Sequence, residues 1–401
     1  MKKVQKILGK RGMLLFLVLI SAFPPITMDL YLPALPQMME VFNTNQTMVN
    51  LTLSLYFVVY AFGLLFWGPL SDKFGRKPIL LVGIAVYSIA SIFCALSTSI
   101  EYLIASRLIQ AFGGSAVTVV ATAIVKDLYE GREREKIMAT IMSLVIIAPM
   151  VAPVFGAFLL KIASWSMIFV TLAVFGVVSA IFAMLYEETI ESLHSDSMLK
   201  SWSRLAVVVK NPNFVTLLCI FSIIPMALLA FLGAGSYIYI NDFGLTEQEF
   251  SYAFAFNAFF ASFGPRLYIK ISQRVSIETI ISFCFALLTL CGILTYTIGY
   301  LSPWIFAFLA APATLAVITI RIPGTNLMLN QQDKDTGSAV AIIQFLGMIC
   351  GSIGVLLVSL NPDTLIENLG TIQFIIGATG GTLWWIVRRR TYVVDNLPEM
   401  S

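Results

Sequence analysis

Acid–base chemistry has little to work with in this chain. One histidine, His194, serves all 401 residues, and it falls in a polar stretch between apolar runs. Charged residues are 12% of the total, about half of what a soluble domain carries, and 58% of residues are hydrophobic. The five cysteines, Cys94, Cys219, Cys284, Cys291 and Cys350, all lie inside apolar segments at spacings that fit neither a disulfide framework nor a metal set. They read as small hydrophobes. No GxxxxGK[ST] stretch occurs, so the usual nucleotide cradle is missing and ion gradients are the plausible energy source. No apolar run holds a histidine or paired carboxylates, and no loop is long enough for a catalytic domain, which disfavours an enzyme. Basic residues are scattered over loops instead of gathered on one face, which argues against a nucleic-acid surface. A channel is disfavoured because no ring-like charge repeat appears.

What the chain has in abundance is hydrophobic length, with a mean hydropathy of +0.88. A membrane-crossing helix needs roughly 20 apolar residues. Twelve runs meet that need, near 12–34, 47–69, 78–97, 101–125, 137–160, 165–186, 213–240, 248–269, 276–299, 303–326, 337–360 and 368–388. The first is too long for the apolar core of a cleaved signal and lacks a small-residue cleavage pattern, so it reads as a span. The expected fold class is an all-α membrane protein with two six-helix bundles, 1–190 and 213–401, joined by a polar linker at 191–212.

Loop charge sets the expected orientation. Twenty-two of the 25 Lys and Arg fall on one side of this twelve-span layout, from Lys2 and Lys3 through Lys73, Arg76 and Lys77 to Arg388, Arg389 and Arg390. Lys161 alone falls on the other side, and Arg107 and Arg321 fall inside spans. This asymmetry puts both termini in the cytoplasm. It also supports the count, since a missed span inverts every later loop.

Asp29 is the only acidic residue deep within any apolar run; it sits in FLVLISAFPPITMDLYLPALP, Phe16 to Pro36. A carboxylate at that depth costs several kcal/mol on insertion scales, about 3, and marks an ion, proton or ligand site. At a rise of ~1.5 Å per residue, Asp29 lies roughly 25 Å from the inner end of its span, and Arg107 roughly 10 Å from the outer end of its own. The two therefore reach similar depth and can share a hydrated pocket. Burial disfavours the charged carboxyl and a nearby guanidinium favours it. A static structural ion pair is the alternative. Arg321, in VITIRIPGTN, either snorkels to the inner interface or lines the cavity.

The two halves echo one another weakly. GPLSDKFGRKP at Gly68 to Pro78 and GPRLYIKISQR at Gly264 to Arg274 close equivalent spans, 196 residues apart. Repeats of this kind point to a transporter with its site at the membrane midplane. At the same offset Asp29 corresponds to Pro225 and Arg107 to Pro303, so the first half holds the buried charge and the second offers aromatic and small residues.

The segment Gly68 to Pro78 resembles the signature loop between spans two and three of the major facilitator superfamily. The resemblance implies a conformational latch: Gly68 at a close helix contact, Asp72 at the amino end of span eleven, and Arg76 paired with Asp127. LIASRLIQAFGG, around Arg107, resembles the superfamily's span-four motif. IIAPMVAPVFGAFL, Ile146 to Leu159, resembles the span-five motif of drug exporters, with Pro149 and Pro153 kinking the helix and Gly156 allowing close packing, although Ala148 and Ala157 replace the usual glycines. With APMVAP, the stretch MDLYLPALP resembles the Bcr/CflA branch of drug:proton antiporters, and the resemblance spans essentially the whole chain.

That family resemblance implies proton influx driving efflux of bicyclomycin-like or phenicol-type antibiotics from a bacterial cytoplasmic membrane. It implies no cofactor beyond the proton gradient, and drug, protons and lipid as partners. Twelve spans suffice for a monomeric pathway. Asp29 and Arg107 are the expected proton-coupling pair. Substrate contacts are expected from Asp29, Arg107, Tyr31, Tyr56, Tyr60, Ile146, Met150 and Gln344, with Met142, Phe231, Tyr237, Phe256, Asn257 and Met348 as further mid-depth candidates. The three tyrosines stand out because a phenol in hydrocarbon seeks a partner. Proton-coupled uptake of a nutrient or organic anion, clamped by Arg107 and Arg321, is the alternative.

Overall fold

A computed structural model describes residues 5–190, 205–332 and 336–394. His194, Lys200, Arg204, Lys334 and most of the expected linker lie outside the described residues. Those residues contain helices and turns, with no strand among them. The chain divides into two compact units, Met1–Ser201 and Trp202–Ser401.

The first unit holds α1 (Gly9–Ser21), α2 (Phe23–Asp29), α3 (Leu35–Val41), α4 (Gln46–Phe74), α5 (Arg76–Ala95), α6 (Ile100–Leu128), α7 (Gly131–Val145), α8 (Ala148–Ile162) and α9 (Ser166–Leu185). Side chains that outcompete water for free amides start the long ones. Asn45 accepts from the Met48 amide at 2.9 Å and Ser99 from the Tyr102 amide at 3.2 Å. Between α4 and α5 the chain turns at Gly75, whose φ of 99° is a conformation that a Cβ strains. Where α5 crosses α6, a Cβ on Gly113 would lie 2.6 Å from the Tyr87 backbone nitrogen, so the two backbones are in direct contact.

The second unit holds α10 (Pro212–Phe221), α11 (Ile224–Tyr237), α12 (Glu247–Ser262), α13 (Gly264–Ile271), α14 (Ile277–Ile298), α15 (Pro303–Leu329), α16 (Thr336–Val358) and α17 (Leu365–Val387). A capping box, Thr246 with Glu249, opens α12. The α14–α17 crossing repeats the glycine device: a Cβ on Gly370 would lie 2.6 Å from the Tyr296 nitrogen.

Ten helical runs among the described residues are long and apolar enough to cross a membrane, and a bent pair supplies an eleventh. The expected first span is that pair, Gly9–Ser21 and Phe23–Val41, bent by 43°. The consecutive prolines Pro24 and Pro25 cannot donate to the preceding turn, which breaks the helix at Ala22. The expected eighth span, 248–269, is likewise divided into α12 and α13, of 16 and 8 residues, because Pro265 follows the break at Phe263. Apolar length alone does not reveal such breaks.

Candidate functional site

Arg107 organises the interior of the first unit. It sits about two turns into the 29-residue α6 and is fully buried. Its Nη1 donates to Gln110 Oε1 at 2.7 Å, one turn along the same helix. Gln110 Nε2 donates to Ser91 Oγ at 2.7 Å, and Ser91 donates in turn to the Tyr87 carbonyl on α5 at 2.7 Å. The guanidinium is thus tied to a second helix through a chain of hydrogen bonds. Its carbon lies 4.4 Å from the Tyr56 ring centre, 4.9 Å from that of Tyr31 and 5.8 Å from that of Phe169. Cation–π contacts in such a dry setting are worth about 2 kcal/mol each at best. Arg107 Nε has no hydrogen-bond partner among the described residues.

Asp29 ends α2 with 5% of its surface exposed. It makes no hydrogen bond or ion pair among the described residues. The static ion pair with Arg107, the alternative reading, is therefore not made among the described residues. Arg107 Nη2 meets Met28 Sδ instead, at 3.8 Å. The reason is angular, since neighbouring helix positions point about 100° apart. With Met28 turned to Arg107, Asp29 points elsewhere. Its helix packs chiefly on α8 and less on α6. On α8, Gly156 faces the Leu30 carbonyl so closely that any Cβ would collide with it. Pro149 opens α8, and Pro153 lies within it, four residues later. Gly156 thus brings α8 into direct backbone contact with the residue after Asp29.

The tyrosines surround this core. Tyr31 shares a hydrogen bond with Thr52 at 3.2 Å, and Tyr60 donates to Thr118 at 2.7 Å. Tyr56 and Tyr60 stack with ring centres 5.9 Å apart. Tyr87 and Thr27 share a 2.6 Å bond. Sequence reasoning missed Gln110, Ser91, Tyr87, Thr27 and Phe169. Gln110 was legible as the i+3 neighbour of a buried arginine, whereas Ser91 and Tyr87 share one face of α5 that carries no distinguishing pattern.

At the other end of α4, Arg76 Nη1 bonds Asp72 at 2.6 Å and Ser71 Oγ at 2.7 Å, while its Nε bonds Asp127 at 2.9 Å. Glu188, also missed, accepts from the Lys77 amide at 2.9 Å and packs over Gly75. Gly68 accepts from Ser71 Oγ at 2.9 Å. The remaining candidates are dispersed. Ile146 and Met150 are half-buried at the α7–α8 break, and Met142 is exposed. Gln344 and Arg321 are exposed on α16 and α15, and Met348 is half-buried. Phe231 stacks on Phe254 at 6.0 Å, and Phe256 packs on Phe260 at 4.8 Å. Tyr237 is buried, and so is Asn257, whose side chain has no hydrogen-bond partner among the described residues.

The model of the Major Facilitator Superfamily matches residues 15–355. A chloramphenicol resistance protein of Pseudomonas aeruginosa is 31% identical, over 84% of this chain and 81% of its own length. A bicyclomycin resistance protein homolog of Haemophilus influenzae is 26% identical, over 91% and 92%. Among solved structures, the peptide transporter POT in complex with sulfate superposes with a TM-score of 0.77, covering 98% of this chain and 97% of that one at 14% identity, a likeness of fold alone.

Proposed function

Because the chain belongs to the Major Facilitator Superfamily, a family of membrane transporters and not of enzymes, we propose that it exports small hydrophobic antibiotics in exchange for protons, with Asp29 as the proton carrier. The state of Asp29 carries this reading: a carboxyl 5% exposed, in an apolar bundle, without a hydrogen bond or ion pair among the described residues. An ionised carboxylate so placed is costly until water, a cation or a proton reaches it, so its charge is coupled to any change in its surroundings. Arg107 does not neutralise it. The guanidinium is held by Gln110 and two phenol rings, with Nε left over for an acceptor oxygen on the substrate.

In the proposed cycle Asp29 takes a proton from outside and releases it inward as substrate arrives, so that proton and drug compete. The names of the chloramphenicol and bicyclomycin relatives support a phenicol or bicyclomycin-like substrate. The loop charges support both termini lying inside, and the bacterial relatives support a cytoplasmic membrane setting. Inverted vesicles with an acidified lumen test the direction. Accumulation of chloramphenicol or bicyclomycin supports export. Failure to accumulate either, with organic-anion uptake in right-side-out vesicles, supports the symporter instead.

A further inference from the structure

We propose that the groove between α14 and α17 is a binding site for an anionic phospholipid, with the lipid phosphate at Arg388 and an acyl chain along the groove floor. The groove encloses about 370 Å³. Phe285 and Thr289 on α14 and Gly377, Gly381 and Trp385 on α17 line it, and Arg388 closes one end. Glycines on α17 let it pack closely against α14, where a Cβ on Gly381 would lie 3.3 Å from Phe285 Cβ, and the groove runs along this tight seam.

The surroundings identify what fills the slot. Trp385 is 66% exposed beside it. The same two helices display Phe283, Leu290, Leu383 and Ile386, all exposed, which is the composition of a surface bathed in acyl chains. Tryptophan favours the headgroup level of a bilayer. Of three consecutive arginines, Arg388 lines the groove, and Arg389 and Arg390 follow it in sequence. Arg388 Nε is buried and has no hydrogen-bond partner among the described residues. Glu278, in the first turn of α14, makes no ion pair with it. A guanidinium with an unmet donor, at the polar end of an apolar slot, matches a phosphate carrying an acyl chain. The leaflet is the cytoplasmic one, a placement that rests on the loop-charge orientation proposed above.

The test uses full-length protein in neutral detergent, titrated with dioleoyl phosphatidylglycerol or dioleoyl phosphatidylcholine, with retained lipid counted by native mass spectrometry. Wild type retains the anionic lipid about fivefold more strongly, and Arg388→Gln removes that preference. Arg389→Gln and Arg390→Gln leave most of it. Gly381→Leu fills the slot and expels lipid with Arg388 intact; should that variant fail to elute as a single folded peak, Ala378→Leu serves the same end. Equal retention of the two lipids overturns the proposal. So do equal losses on replacing any of the three arginines, or displacement by glycerol phosphate as effective as by whole lipid, which makes the site one for phosphate alone.

Discussion

The two units solve the problem of buried polarity in opposite ways. In the first, the polar groups form a connected set: Arg107, Gln110 and Ser91 in one chain, Tyr31 with Thr52, Tyr87 with Thr27. In the second, the corresponding stretch is filled by Phe231, Phe254, Phe306 and Tyr239, packed ring against ring. The offset of 196 residues, which sets Pro303 opposite Arg107, anticipates this in the primary structure. The lesson is a division of labour. Under the proposed function, proton coupling rests on the first unit and the second supplies apolar area for the drug.

The sharpest break of this contrast is Arg107→Ala. It leaves the Gln110 carbonyl without its donor and two phenol faces without a cation, for a stability loss of about 3 kcal/mol and loss of most coupled transport. Arg107→Lys keeps the charge but not the planar fork, and retains less than wild-type activity with a smaller stability loss. Proton-driven efflux in vesicles, alongside thermal unfolding, measures both. In the second unit, Phe231→Ala leaves a cavity and also costs about 3 kcal/mol. There the expected functional result is a changed drug profile with proton coupling intact, read from a susceptibility panel. Abolished coupling in Phe231→Ala places charge chemistry in both units.

Smaller effects are expected where α4 ends and α5 begins, around Arg76. Asp127 is 19% exposed at its side chain and bonds a nearly buried Arg76, so Asp127→Ala costs about 2 kcal/mol. Asp72 is 48% exposed, and Asp72→Ala costs below about 1 kcal/mol. Thermal unfolding of the purified variants ranks them; the reverse order contradicts the burial argument.

The all-helical, many-span fold was readable from hydrophobic length, because a bilayer imposes it. The breaks at Ala22 and Phe263 were less so. The prolines that cause them, Pro24, Pro25 and Pro265, look like those that long helices absorb: Pro69, Pro312 and Pro323 all sit inside unbroken helices. At the candidate site, Asp29 and Arg107 announced themselves by the cost of burying charge. Their relative direction did not, because depth along a helix follows from counting residues but facing depends on where the helix bends. The break before α2 is what turns Met28, and not Asp29, toward the guanidinium. Ser91 and Tyr87 were hidden for another reason: serine and tyrosine are ordinary in apolar helices, and only the α5–α6 crossing at Gly113 brings them to Gln110.

Asp29→Asn tests the central claim most directly, because it removes a titratable proton while keeping size and polarity. The measurement is drug efflux from proteoliposomes against an imposed pH gradient, with folding and expression matched to wild type. Expected is a variant that still binds drug but no longer moves it in response to the gradient. Gradient-driven efflux at the wild-type rate in Asp29→Asn contradicts the assignment of the proton to this residue.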